Sequence, residues 1–510
     1  MMALILCLPL SSADASNVED NLVIGIQSTK TLAIEPLQPL ERDMLSIYDV
    51  MYESLITIDD DYMPQPCLAD SWEMSGNGKT WTFHLRKDVR FSDGTAMTAN
   101  DVVATANEIL RRAENEDTTT RGYYYNLKYF VKSISAPDDY TVVVKAARSY
   151  WGVLYAMTFP VLPATYVSSA NPPGTGAYYS ETFEPTNYMH LKVNPYWWMN
   201  QPQVKEIMVI MSDTPKGVME NYEYARVDTI FTRAIASAQY KSGVNSLALD
   251  YRTNQLETLL MNHSSSPLDS IAVRKALRYL IDVDRIASNV YMGMVDRTDT
   301  PFIAGTWMYN DNLSRYFVTN KDEALRLLDE DGWADTNDDG YLDRPNKDGE
   351  SEMLAFRLFV YEEPDNDVRV ETANMIADML EAVGISVTIT TLDFETMSKR
   401  LSAGNFDLAL VSYAMDVCPD AGFLLMSNNT GNYCRYRSTK MSDLCKELRT
   451  MATFDEYRSK LHEIQVQFAD DCPFLCMFYR CGTVLTRRMY TTTRDVRELE
   501  LLDGIDTFHP

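Results

Sequence analysis

Histidine is scarce here: five residues in a chain of 510. They are scattered and show no recognised zinc spacing, so no metal site is expected. Long hydrophobic runs are missing too. Residues 2–10 are apolar but too short to span a bilayer, and no later segment is a transmembrane candidate. No Gly-x-Ser-x-Gly elbow, no His-Glu-x-x-His and no phosphate-binding glycine loop occurs, which leaves no catalytic residue to name and no cofactor to expect. Basic residues are outnumbered, with 46 Lys and Arg against 73 Asp and Glu, for a net charge of −27. That balance disfavours nucleic acid and anionic lipid as partners and favours a soluble monomer. The acid is spread along the chain, as on a solvated surface. Repeats and low-complexity segments are absent.

What is present is an ordinary globular composition, 45% hydrophobic and 23% charged. The length exceeds one hydrophobic core, so two or three domains are expected. Residues 2–10, with Ala13-Asp14-Ala15 as a small-residue cleavage site and Ser16 as the mature start, resemble a secretory signal that lacks its basic n-region. Cys7 follows Leu4-Ile5-Leu6, a poor match to a lipoprotein box. Of eight cysteines, Cys7 would leave with the signal. The odd remainder implies a free thiol or an intermolecular bridge. Cys418 and Cys434 flank one loop and can pair. Cys472, Cys476 and Cys481 match no metal spacing.

The most informative stretch is residues 354–423. Residues 355–360 are a short apolar run and read as a strand. Ala373, Ile376, Ala377, Leu380 and Val383 then recur at helical spacing. Asp365 or Asn366 caps that helix, and Gly384 closes it. Ile385, Val387 and Ile389 alternate as a second strand. Asp393 caps another helix, with Phe394, Met397 and Leu401 on one face and Gly404 at its end. Residues 406–413 form a third strand. The simplest packing of β-α-β-α-β is parallel strands with right-handed crossovers. Such sheets bind ligands beyond the carboxyl ends of their strands. Tyr413, Asp416 and Cys418 stand there.

Residues 68–110 contain a hairpin turning at Asn77-Gly78, a second turn at Asp93-Gly94, and a helix from Ala99 capped by Thr98 with Asp101 in its first turn. Strands are expected at 21–27, 140–146, 204–211 and 247–251. The 68–110 run resembles the signature of the family 5 extracellular solute-binding proteins, the peptide- and nickel-binding receptors of ABC importers. The match falls at Leu68, Ala69, Ser71, Trp72, Thr80, Thr82, Phe83, Leu85, Arg86, Val89, Phe91, Asp93, Gly94, Ala99, Asp101 and Val102. Pro173-Gly174-Thr175-Gly176 with Tyr178 resembles the family's Pro-x-Gly-Thr-Gly-Pro-Tyr turn, with Ala177 for proline. Val193-Asn194-Pro195-Tyr196-Trp197, Val273-Arg274-Lys275-Ala276-Leu277 and Phe406-Asp407-Leu408 resemble further family stretches.

The resemblance implies an α/β, two-lobed periplasmic-binding-protein-like fold of the type II, large peptide-binding class. After a signal-like segment at 1–15, lobe I takes residues 21–50, 174–258 and 484–510. An accessory domain, 51–173, is inserted in it. Lobe II takes 259–483, with the chain crossing a hinge near Leu259-Leu260. The implied function is an exported receptor, periplasmic or on the outer face of the cytoplasmic membrane. It captures a peptide, short by expectation, and delivers it to an ABC permease; a nickel or metal-chelate receptor is the alternative.

The family carries a Gly-Trp-x-x-Asp pattern after this third strand, and in peptide binders that aspartate holds the ligand's α-ammonium. Here the pattern is Ser412-Tyr413-Ala414-Met415-Asp416. Asp416 is therefore the candidate ammonium anchor, and Tyr413 would line a side-chain pocket. Trp307 matches a family tryptophan near the cleft. Dipeptide-binding relatives carry a carboxylate-binding arginine where this chain has Tyr361-Glu362-Glu363. Glu362 and Glu363 would repel a short peptide's carboxylate, which points to a longer peptide, a cationic ligand or glutamates facing water. Residues 335–340 resemble the front of a calcium loop, but its closing glutamate position is Asn346.

Overall fold

The computed structural model describes residues 21–38, 41–115, 123–242, 246–345, 349–363, 366–488, 496–502 and 504–505. The signal-like segment, Asn346, Pro364 and Asp365 lie outside them.

One eleven-stranded sheet runs through the molecule. Its strands in chain order are β1 (Asn21–Gln27), β2 (Tyr178–Glu184), β3 (Tyr188–Val193), β4 (Glu206–Ser212), β5 (Thr229–Thr232) and β6 (Leu247–Met261), followed by β7 (Val295–Arg297), β8 (Ala355–Tyr361), β9 (Ser386–Leu392), β10 (Leu408–Ala414) and β11 (Phe474–Thr486). The spatial order is β9-β8-β10-β6-β11-β5-β1-β4-β3-β2, with β7 paired to β11. One half is built on the β8-β9-β10 unit and the other on β1, β4 and β5. Two long antiparallel strands, β6 and β11, carry the sheet from one half to the other.

The β8-α-β9-α-β10 unit follows its sequence closely. β8 pairs in parallel with both β9 and β10. The first helix, Val368–Glu381, buries Ala373, Ile376, Ala377 and Leu380. Its N-cap is Asp367, one residue past the expected Asn366, whose Oδ1 still accepts from Val368 N. Gly384 turns the chain out of the helix at φ +82°. Asp393 caps the second helix, Phe394–Ala403, by accepting from Thr396 N, and Gly404 ends it in the left-handed conformation. Phe394 departs from the pattern: it is 70% exposed and meets Tyr361 edge-on.

Leu259 and Leu260, expected at a hinge, sit in the regular ladder opposite Leu410 and Ala409. Against β11 the register of β6 shifts twice just before them, between Glu257 and Thr258 and between Arg252 and Leu256, the latter spanning Asn254. There Asn254 N donates to Glu498 Oε2 at 2.6 Å and Asn254 O accepts from Met415 N.

A separate four-stranded sheet comprises Ala69–Met74, Thr80–Leu85, Thr141–Ala146 and Val131–Asp138, in that spatial order. Its first two strands form the expected hairpin, and Gly78 takes φ +66° in the turn. The helix Ala99–Arg112 begins with a Thr98–Asp101 capping box, as its sequence requires. The seven cysteines from Cys67 onward are all unpaired. Cys418 and Cys434 do not bridge: the first lies 3.6 Å from the Tyr150 hydroxyl and the second donates to Asn432 Oδ1. In the calcium-like loop, Asp335 accepts from the backbone N–H groups of Asp339 and Gly340, so its oxygens brace the turn. Among the described residues no helix is long and apolar enough to cross a membrane.

Candidate binding cavity between the two halves

Beyond the carboxyl end of β10 lies a cavity of about 790 Å³, within the range of small-molecule sites. Its wall draws on distant parts of the chain: Leu45–Thr57, Tyr123–Phe130, Trp197–Met199, Ala414–Cys418 and the C-terminal segment around Leu502 all contribute. The lining includes the aromatic rings of Tyr48, Tyr52, Tyr124, Tyr155, Trp197 and Trp198. Asp49, Glu53, Asp416 and Glu500 add carboxylates, and Arg86 is the guanidinium in the lining.

Asp416 stands two residues past the end of β10. Its backbone neighbour Met415 is fixed by Asn254, within the earlier register shift of β6. Its Oδ1 accepts from Cys418 N at 3.2 Å, and its Oδ2 accepts from Asn126 Nδ2 at 3.1 Å. The side chain is open to the cavity although protein surrounds it. Those surroundings push its carboxyl above the usual range, and the two hydrogen bonds only partly oppose them. Both donors are neutral, and no ion pair to Asp416 forms among the described residues.

Glu53 is the second carboxylate of note. It follows the helix Arg42–Asp49 and precedes a short strand at Ile56–Ile58. Its Oε2 accepts from Trp198 Nε1 at 2.9 Å, and its Oε1 accepts from Trp197 Nε1 at 3.2 Å. Burial pushes this carboxyl up to about 7, against the pull of the two indoles, the Thr175 hydroxyl and Arg86. Arg86 is otherwise engaged: its Nε donates to Cys67 O at 2.7 Å and its guanidinium lies 4.4 Å from the Trp198 ring centre.

Of the residues singled out in the sequence, Asp416 and Cys418 reach the cavity. Tyr413 does not. Residues alternate across a strand, and this one points into the core, where its hydroxyl donates to Gly431 O and its ring packs against Phe423 and Tyr433. Trp307 packs with Trp151, Phe454 and Tyr457, its Nε1 donating to Tyr62 O at 3.4 Å, and it too lies off the lining. Glu362 is exposed outside the cavity.

Glu363 requires a correction of charge. It pairs with Arg369 and lies 3.5 Å from Arg480, so it does not repel a ligand's carboxylate as a bare anion would. Those arginines also hold Glu257, at 3.0 Å and 2.6 Å. The result is a four-member network with equal charge of each sign, joined by Ser412 and covered by the Tyr361 ring 4.1 Å from Arg369. Arg369 comes from the first turn of the helix that follows, six residues on, and Arg480 from β11, 117 residues away. The signal for Glu53 was fainter: a lone acid in the apolar 50–58 run, far from the adjacent tryptophans it binds.

Comparison with known proteins follows the same lines. The model for bacterial extracellular solute-binding proteins, family 5 Middle, matches residues 63–433. The oligopeptide-binding protein AppA of Bacillus subtilis is 22% identical over 490 residues, 90% of this chain and 86% of AppA. Its structure in complex with a nonapeptide superposes with a TM-score of 0.70 at 20% identity, covering 96% of this chain and 98% of that one. NikZ from Campylobacter jejuni, in complex with Ni(L-His), gives a TM-score of 0.73 at 18% identity, covering 96% and 100%. The fold is thus the two-lobed α/β architecture of these receptors.

Proposed function

Since the chain belongs to family 5 of the bacterial extracellular solute-binding proteins, we propose that it captures a short peptide in the cavity between its lobes and delivers it to an ABC importer. One observation carries the reading. Asp416 presents to the cavity a carboxylate whose hydrogen-bond donors are all neutral. A carboxylate in such surroundings is stabilised by a cation, and a peptide's α-ammonium supplies one. Backbone donors and acceptors of the bound peptide pair with the cavity edges, while the aromatic wall takes side chains. The relatives named for oligopeptides support this choice of ligand.

The lobes in this reading are residues 21–50, 174–258 and 484–510 against 259–483, with 51–173 as the inserted domain. β6 and β11 link them, and the bend lies at the register shifts of β6 that end between Glu257 and Thr258, next to Leu259-Leu260. Ligand contacts complete only when the lobes meet, so the ligand shifts the population toward the closed form. The protein acts as an exported monomeric receptor without catalysis.

The test is a thermal-shift and calorimetric screen of the mature protein. Peptides of two to five residues are compared with their N-acetylated forms and with nickel plus histidine. A ligand at 100 times its Kd adds about 2.7 kcal/mol of stability. Free peptides should bind and acetylated ones should bind far more weakly, and Asp416→Asn should weaken binding by about 2–5 kcal/mol. Equal binding of free and acetylated peptides overturns the anchoring role of Asp416. A response to nickel–histidine alone overturns the peptide reading.

A further inference from the structure

The α-ammonium of a peptide satisfies one cavity carboxylate. A second remains. Glu53 lines the same cavity, and its partners there are all neutral: two indole N–H groups and the Thr175 hydroxyl. No ion pair to Glu53 forms among the described residues. Arg86, the lining guanidinium, is held by Cys67 O and stacked on Trp198. Its charge reaches Glu53 from a distance without pairing with it.

We propose, building on the peptide reading, that the cavity selects peptides bearing a basic side chain, and that Glu53 with Trp197 and Trp198 forms the subsite for that side chain. The two indole N–H groups fix the carboxylate's orientation and leave its remaining lone pairs for a ligand. The flanking rings offer faces over which a guanidinium or ammonium gains cation–π attraction. Arginine fits best, because its planar fork donates to a carboxylate along one edge while stacking on an aromatic face. Among the described residues Arg86 is the guanidinium of the lining, and it stands beside Glu53 while Asp416 faces the same space, so an acidic side chain is disfavoured by charge. The subsite is also lined by Cys67 and Asp49. Neither supplies a positive charge.

The experiment uses tripeptides with free amino termini, each placing arginine or its neutral isostere citrulline at one of the three positions. Binding is measured by calorimetry on the full mature chain. At one position the arginine peptide should bind at least tenfold tighter than the citrulline peptide, and the preference should shrink with added salt. In Glu53→Gln, with folding checked by its melting curve, the arginine preference should collapse to within about threefold, since a neutral acceptor gives up the charge. Equal binding of arginine and citrulline at every position overturns the subsite, as does a preference that survives Glu53→Gln. If citrulline peptides bind and arginine adds nothing, the peptide reading stands and this inference alone falls. If no peptide binds, both fall.

Discussion

Replacing Arg369 by methionine probes what locks the ligand-facing end of the β8-β9-β10 unit. The Arg369 and Glu257 side chains are 1% and 4% exposed. With Arg480 and Glu363 they form a network of two cations and two anions. Arg369→Met fills a similar volume but leaves Glu257 and Glu363 to share Arg480, so one buried negative charge loses its partner. Breaking a buried pair by removing one member costs about 3–5 kcal/mol. If this half of the molecule melts as its own unit, the fall in Tm is on the order of 10 °C. The double variant Arg369→Met, Glu363→Gln restores neutrality, because Glu257 keeps Arg480 at 2.6 Å. It should recover at least half of the loss. Calorimetric melting of the wild type and the two variants decides the matter. A single variant within about 1 °C of wild type, or a double variant no more stable than the single, refutes the charge argument and reduces the network to packing.

Three further outcomes are expected. Glu53 holds its proton up to about pH 7 in the folded protein, whereas the unfolded chain releases it around pH 4.5. Its contribution to stability is therefore complete below about pH 4.5 and lost as the pH rises through about 7, so wild-type Tm relative to Glu53→Gln should fall between pH 5 and pH 8; a gap independent of pH contradicts this. Gly384 has φ +82°, and an added Cβ would lie 2.7 Å from Gly340 O, so Gly384→Ala should cost about 2 kcal/mol or more in urea unfolding. With Cys418 and Cys434 unpaired, reductant should leave the melting temperature unchanged, and a clear drop would reveal a bridge.

The sequence carries a legible signal wherever local chemistry decides the outcome. Asp393 and Gly404 delimit a helix because a carboxylate can cap backbone N–H groups and glycine tolerates positive φ. The parallel order of β8, β9 and β10 follows from alternating strand and helix periods. Asp416 stands out by its place after a strand and its match to the family's Gly-Trp-x-x-Asp pattern, and it does reach the cavity. Other features depend on tertiary partners and left little trace in sequence. Tyr413 points into the core because the pairing of β10 with β6 sets which face each residue takes. Glu363 looks like an exposed acid until the fold turns Arg369, six residues on, back onto it and brings Arg480 from β11. Phe394 has the spacing of a buried residue, yet it sits at the open first turn of its helix and covers Tyr361 from outside. Glu53 is defined by tryptophans more than a hundred residues away.

The long strand β11 also fixes an order of assembly. It pairs with β5, where Thr486 meets Thr229, and along nearly its whole length with β6. Every other strand of the sheet precedes it in the chain. Until residues 474–486 emerge, β5 and β6 each carry an open edge able to pair with a foreign strand. The sheet cannot close from its amino-terminal half alone, and its last stitches span more than two hundred residues, a separation that slows folding. A product that stops short of residue 474 is thus a chain with two sticky edges and no bridge between its halves, a ready substrate for chaperones and proteases.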